Sequence, residues 1–189
     1  MKTPSLLLVA LVSFPLAAQD FGFPFGKISL QELQQTTYPK DTSANAVYLD
    51  EYGETSFENG DSYNLIHQYH ARIKILNVRG LSHANFEIPL YRSGANYEKL
   101  TTVRATSFSL ENSSLKATSF DAKNIMVENR NKYWQIVKFA VPDVRVGSVI
   151  EVAYEIETPF IYNFKSWSFQ SDIPKVKSTY VANIPALYN

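Results

Sequence analysis

Cysteine is missing from all 189 residues. That removes disulfide frameworks, thiolate metal sites and a sulfur nucleophile. Charge of one sign is also lacking, since 18 lysines and arginines balance 18 acids. No overall basic field therefore calls for nucleic acid. There is no G-x-x-x-x-G-K phosphate loop. After residue 18 no apolar run approaches the ~20 residues that a membrane-spanning helix needs. Internal repeats and low-complexity linkers are absent, and helical periodicity nearly vanishes after residue 36. What the sequence does have is aromatic side chains, with 12 Phe, 12 Tyr and 2 Trp. With 45% apolar and 19% charged residues, the chain is a folding one rather than a disordered one.

The front end reads as an address. Met1-Lys2 supplies a positive charge, Leu6 to Leu16 is almost wholly apolar, and Ala17-Ala18-Gln19 offers a small-residue cleavage site. This is the layout of a secretory signal peptide, residues 1–18, although Leu16 stands at a position where a small residue is usual. No cysteine follows to carry a lipid. The expectation is a soluble exported domain, residues 19–189, in the periplasm or outside the cell. Its charge is uneven. Asp20 to Asp61 carries eight acids against Lys27 and Lys40, and Ser62 to Arg145 carries 12 bases against six acids. The two stretches either attract one another within the fold or form ordinary solvated faces.

Phe21, Phe23 and Phe25 alternate with Gly22, Pro24 and Gly26, a spacing no helix holds, so this lead-in is extended. Ser29 and Glu32 fit a capping box and predict a short helix over 30–35. It stops before Tyr38-Pro39 because a residue preceding proline avoids helical dihedrals. From Ala46 the period becomes two. Over 63–76, Leu65, His67, Tyr69, Ala71, Ile73 and Ile75 share one face, and Asn64, Gln68, His70, Arg72 and Lys74 the other. At 148–157, Ile150, Val152, Tyr154 and Ile156 oppose Glu151, Glu155 and Glu157. Both are strands with one wet face. Further strands are predicted at 46–50, 84–90, 99–110, 115–120, 132–141, 163–170 and 175–184, with turns at Arg92-Ser93-Gly94, Glu111-Asn112-Ser113 and Arg145-Val146-Gly147. Gly147 is expected to take a positive φ ahead of its strand. Many strands without alternating helices predict an antiparallel β-sandwich with one short N-terminal helix, in a mainly β fold.

Candidate sites are few. His67 and His70 point to opposite faces, because an odd separation reverses direction in a strand, so they cannot form a same-face metal pair. No metal or cofactor is expected. Glu151, Glu155 and Glu157 could serve as paired carboxylates of a glycosidase, but they are read as the solvated face. Trp134 is expected in the core. Phe160, Tyr162, Phe164, Trp167 and Phe169 crowd one short stretch. They serve either packing or the stacking of a glycan or peptide.

Several runs are familiar in their order. They are Phe25-Gly-Lys-Ile-Ser-Leu-Gln-Glu-Leu, Tyr38-Pro-Lys-Asp, Arg72-Ile-Lys-Ile-Leu-Asn with Gly80, Asn131-Lys-Tyr-Trp134, Lys138-Phe-Ala-Val-Pro142, Val146-Gly-Ser-Val-Ile-Glu151 and Trp167-Ser-Phe-Gln-Ser-Asp-Ile-Pro174. Over residues 25–185 the set resembles a domain-of-unknown-function family of secreted Bacteroidetes-type proteins. In longer members this β-sandwich follows the signal peptide and precedes a transglutaminase-like domain. The resemblance implies that such a domain is the partner, and that its Cys-His-Asp centre lies outside these 189 residues, which stop where longer relatives continue. The implied role is that of a non-catalytic accessory domain, not an enzyme. That domain packs against or positions the catalytic one, or presents a surface to a peptide or cell-envelope partner, and the rival is a module that binds a glycan or peptide through residues 160–169.

Overall fold

The computed structural model describes residues 20–58, 63–162 and 164–186. The expected signal peptide lies outside the described residues. Among the described residues ten strands form two sheets. They are β1 (Ala46–Phe57), β2 (Leu65–Ile75), β3 (Asn85–Ser93), β4 (Asn96–Tyr97), β5 (Lys99–Glu111), β6 (Ser114–Ser119), β7 (Met126–Asn129), β8 (Trp134–Ala140), β9 (Val149–Thr158) and β10 (Ser178–Asn183). One helix, α1 (Leu30–Gln34), precedes them, and 3-10 turns fill Val78–Ala84 and Ala122–Asn124. The larger sheet has the order β10-β1-β2-β9-β5-β6 and the smaller β4-β3-β8-β7. Every neighbouring pair is antiparallel except β1 and β10, which run parallel.

The two-residue period sets the core. In the β2–β9 register Ile73 faces Ile150, Ala71 faces Val152 and Tyr69 faces Tyr154. Ile73, Ile75, Ile150, Val152 and Ile156 pack on Ile88, Leu90, Val137 and Phe139 of the smaller sheet. Each such side chain contributes roughly 1.5–3 kcal/mol by leaving water, and together they clamp the sheets. Turn chemistry closes the hairpins. Asn112 and Ser113 both take positive φ, 50° and 63°, the backbone of a tight hairpin turn. Gly147 takes φ +88°, and its amide bonds to the Ile75 carbonyl at 3.0 Å, which starts β9 in register.

Three departures from the sequence pattern have physical causes. β1 runs on to Phe57 through Glu51, Gly53 and Glu54, residues that do not read as strand. Tertiary partners hold them there. Glu51 is buried against Lys175, and Gly53 lies flat under the Trp167 ring. The stretch 163–170, expected as a strand, is instead an irregular crossing over β1 among the described residues. β7 is an additional edge strand, exposed at all four positions, so it lacks the apolar alternation that would announce it.

The outer face of the larger sheet is not wet. Residues 20–35 cross it as a third layer, with Phe23 stacked on His70 at 3.7 Å between ring centroids. The Phe25 ring lies under the Arg104 guanidinium at 4.0 Å. Leu33 of α1 packs on Phe108 and Val149. The Ser29–Glu32 capping box is formed in both directions. The Asp20–Arg104 and Glu32–Arg72 pairs, each 3.1 Å, join the acidic lead to the basic middle of the chain.

A Cβ at position 53 would overlap the Trp167 ring. Gly53→Ala is therefore expected to destabilise the fold by about 2 kcal/mol through overpacking. Urea unfolding followed by circular dichroism measures it, and an unchanged midpoint would remove Trp167 from its place on β1.

Candidate functional site

Glu151 has no exposed side-chain surface. Its Oε1 meets His70 Nε2 at 2.9 Å and accepts from Arg72 Nη2 at 3.1 Å, and its Oε2 accepts from the Gly26 amide at 2.8 Å. His70 Nδ1 reaches the Phe21 carbonyl at 2.9 Å. Arg72 also donates to Glu32 and to the Pro24 carbonyl. Lys74 donates to the Leu33 and Gly147 carbonyls at 2.7 and 2.5 Å. Its ammonium is pulled down to about 8 by burial, with the Glu32 carboxylate opposing. Burial pushes the Glu32 carboxyl up. The Ser29 hydroxyl and amide and Arg72 outweigh it, so Glu32 sits below the usual range. The reading of Glu151, Glu155 and Glu157 as a solvated row is thus corrected. Glu151 is sealed by the lead-in. Glu155 accepts from Gln68 and Thr101, and Glu157 from Asn64 and Lys99. A cavity of ≈ 240 Å³ remains beside them, lined by Phe21, Phe25, Gln68, His70, Arg104 and Glu155. It is smaller than the ~300–1,000 Å³ usual for ligand sites.

The five aromatics of the 160–169 stretch take separate places. Phe160 meets Tyr91 edge-on at 4.9 Å, and Phe164 meets Phe57 at 6.4 Å. Trp167 stacks on Tyr180 at 5.3 Å and donates through Nε1 to Ser178 Oγ. Phe169 leans on Trp167 and is mostly exposed. Tyr162 is 91% exposed. Beneath Trp167 lies a second buried polar network. Glu51 accepts from Lys175 and Ser178, both at 2.7 Å, and from Tyr69 at 3.3 Å. Burial, aided by neighbouring phenols and Glu51, pushes the Tyr69 phenol well up. Tyr180 donates to Thr55 Oγ1, which lies 2.9 Å from His67 Nδ1. Burial first, and then the nearby Lys165 charge, lowers His67 to about 4, so this imidazole is neutral at pH 7. Glu98 is buried too, its Oε2 accepting from the Tyr91 amide and from Lys165.

Sequence reasoning missed one aromatic group. Trp134, expected in the core, is 37% exposed and Tyr133 is 44% exposed. Both lie around Tyr91, at 5.1 and 6.4 Å. Parity puts Trp134 with Ile136 on the face opposite Val137 and Phe139. Ile136 on that same face is buried, whereas Trp134 opens the strand and is left partly exposed, so position at the strand end, and not parity alone, sets its exposure. His67 and His70 do lie on opposite faces, and no three His, Asp or Glu converge on a metal position among the described residues. No helix among the described residues is long and apolar enough to cross a membrane.

A profile of the domain-of-unknown-function family DUF3857 matches residues 61–189, which takes in β2 to β10. No curated protein sequence matches. Among solved structures, the chain is similar to a protein of Parabacteroides distasonis ATCC 8503 provisionally described as a protease. The identity is 8% and the TM-score 0.47, over 60% of this chain and 23% of that one. The chain thus spans under a quarter of the length of that protein.

Glu151→Gln removes the charge that Arg72 and His70 share. The expected loss is about 3 kcal/mol, as for a broken buried pair, with early proteolytic cleavage within residues 20–35. Denaturation and limited proteolysis read both, and parent-like behaviour in each would overturn the role given to Glu151. His67 predicts a pH dependence. Unfolded, it takes a proton near 6.5, and folded only near 4. The unfolded state therefore binds more protons in between, and stability falls as pH drops through that window, by up to about 3 kcal/mol. His67→Gln should flatten this slope in urea titrations at pH 7 and 4.5. An equal slope in both proteins would exclude His67 as its source.

Proposed function

Because the chain belongs to the DUF3857 domain-of-unknown-function family, we propose that it is the non-catalytic accessory domain of an exported protein, holding or positioning a transglutaminase-like partner domain. The observation that carries this reading is the use made of its buried ionisable groups. Glu151 joins the lead-in to β2 and β9. Glu51 joins β1 to the segment before β10. Glu98 joins the start of β5 to β3 and to Lys165. Each acid is a cross-link between distant parts of the chain, and cross-links of this kind suit a rigid scaffold. The missing cysteine fits the same reading, since the thiolate chemistry of a transglutaminase-like centre must then come from other residues. Export rests on the Leu6–Leu16 run and its Ala17-Ala18 boundary.

A second reading, stacking of a glycan or peptide by the 160–169 segment, draws on the exposure of Tyr162 and Phe169. Phe160, Phe164 and Trp167 are already engaged by other rings, which favours the accessory role.

The gene supplies the test. Transglutaminase-like sequence is expected in the reading frame beyond the Asn189 codon or in an adjacent gene. A stop codon there, with no such sequence nearby, would overturn the accessory role. For export, N-terminal sequencing of protein recovered outside the cytoplasm should begin at Gln19, and an intact Met1 would count against it.

A further inference from the structure

We propose that Tyr91, Tyr133 and Trp134 form the docking platform of this domain, and that its partner presents an acidic polypeptide segment with apolar anchors. The proposal rests on the reading of the chain as an interaction domain and locates the surface on which it acts.

The platform is built rather than incidental. Tyr91 sits at its centre, with Trp134, Tyr133 and Phe160 around it at ring distances of 5.1, 6.4 and 4.9 Å. The turn that presents the pair is held on two sides. Asn131 Oδ1 accepts from the amides of Tyr133 and Trp134 at 2.8 and 2.9 Å. The Arg92 guanidinium, from β3, donates to the carbonyls of Lys132 and Asn131. The Tyr133 amide is thus spent on Asn131, and its carbonyl accepts from the Arg92 amide at 2.9 Å. Two large rings are therefore held in place while remaining partly open to solvent. Tryptophan, tyrosine and arginine are the residues that dominate binding energies at protein interfaces, and preorganised rings lose little entropy on docking.

Charge selects the partner. Lys132 lies 4.7 Å from the Tyr133 centroid, Arg92 is bonded to the turn carbonyls, and Arg130 belongs to the same turn, its amide donating to the Trp134 carbonyl. Two acids lie near them: Glu98, buried on the Tyr91 amide, is paired with Lys165, and Glu128 is paired with Lys138 at 2.6 Å and lies 3.9 Å from Arg130. The rim is left basic, so a partner with carboxylates and apolar side chains complements it. Position adds to the argument. β10 ends beside Ser56, and β9 ends beside Leu65 and leads to Phe160. A partner carried on the same polypeptide after β10 emerges at the same pole as the platform.

The test uses a fluorescent glutamate–tyrosine copolymer as the acidic probe and a lysine–tyrosine copolymer of equal length as its counterpart, read by anisotropy. Saturable binding of the acidic probe alone is expected, weakening as salt rises. Trp134→Ala and Lys132→Glu should each weaken it by about tenfold or more, and Leu115→Ala on the distant β6 should leave it unchanged. Lys132→Glu, a surface change, keeps the test valid should Trp134→Ala fail to fold. Three results would overturn the proposal. These are no binding of the acidic probe, equal binding by the Lys132→Glu protein, or a dimer in sedimentation that Trp134→Ala dissociates, which would assign the platform to a second copy. The outcome is independent of the gene downstream, so this proposal and the accessory reading can fail separately.

Discussion

A carboxylate with no exposed surface organises the outer layer of this protein. Removing an ion from water costs several kcal/mol even after relaxation, and Glu151 meets that cost with an imidazole, a guanidinium and a backbone amide. The amide belongs to Gly26, 125 residues away in sequence. The lead-in thereby acquires a fixed register over the larger sheet. Its three phenylalanines then pack on the His70 ring, and Phe23 and Phe25 also lie against the Arg72 and Arg104 guanidinium groups. Around His70, Arg72 and Glu151 the sheet is left with two covered faces, one apolar and one polar, and there the molecule has three layers.

The same logic recurs on the other side. Glu51 of β1 and Lys175 form a buried pair beside Trp167, and the irregular segment carrying Trp167 and Lys175 covers β1 without being a strand. Buried ion pairs of this kind add less to net stability than apolar packing of equal volume. What they supply here is connection, since Glu51 is held by Lys175 and Ser178 from more than 120 residues away.

Much of the sandwich was legible in the sequence because its interior follows the simplest rule available. Alternation at Ile150, Val152, Tyr154 and Ile156, or at Ala71, Ile73 and Ile75, states both the strand and its inward face. The capping box at Ser29 and Glu32 and the turn at Gly147 were equally local. Burial of the polar alternates was not local. Glu151 looks the same in sequence whether water or Gly26 faces it, and nothing near residue 151 announces a strap from residues 20–35. Trp134 illustrates the other difficulty. Size and apolarity suggested the interior, whereas its place at the start of β8, on the face opposite Val137, leaves it partly exposed. The five aromatics of 160–169 were found as a group but serve separate contacts, since proximity in an irregular segment carries no information about direction.

The parallel pairing of β1 with β10 has a consequence for how the molecule comes into being. Ser178 and Glu51 are 127 residues apart, and the bond between them closes most of the described chain into one loop. Contacts this distant in sequence slow folding, because the entropy of closure is lost before they form. A chain emerging with its N-terminus first holds β1 as an open edge until β10 arrives, and an open edge invites pairing with foreign strands. The larger sheet is therefore closed at β1 only by residues made more than a hundred positions later.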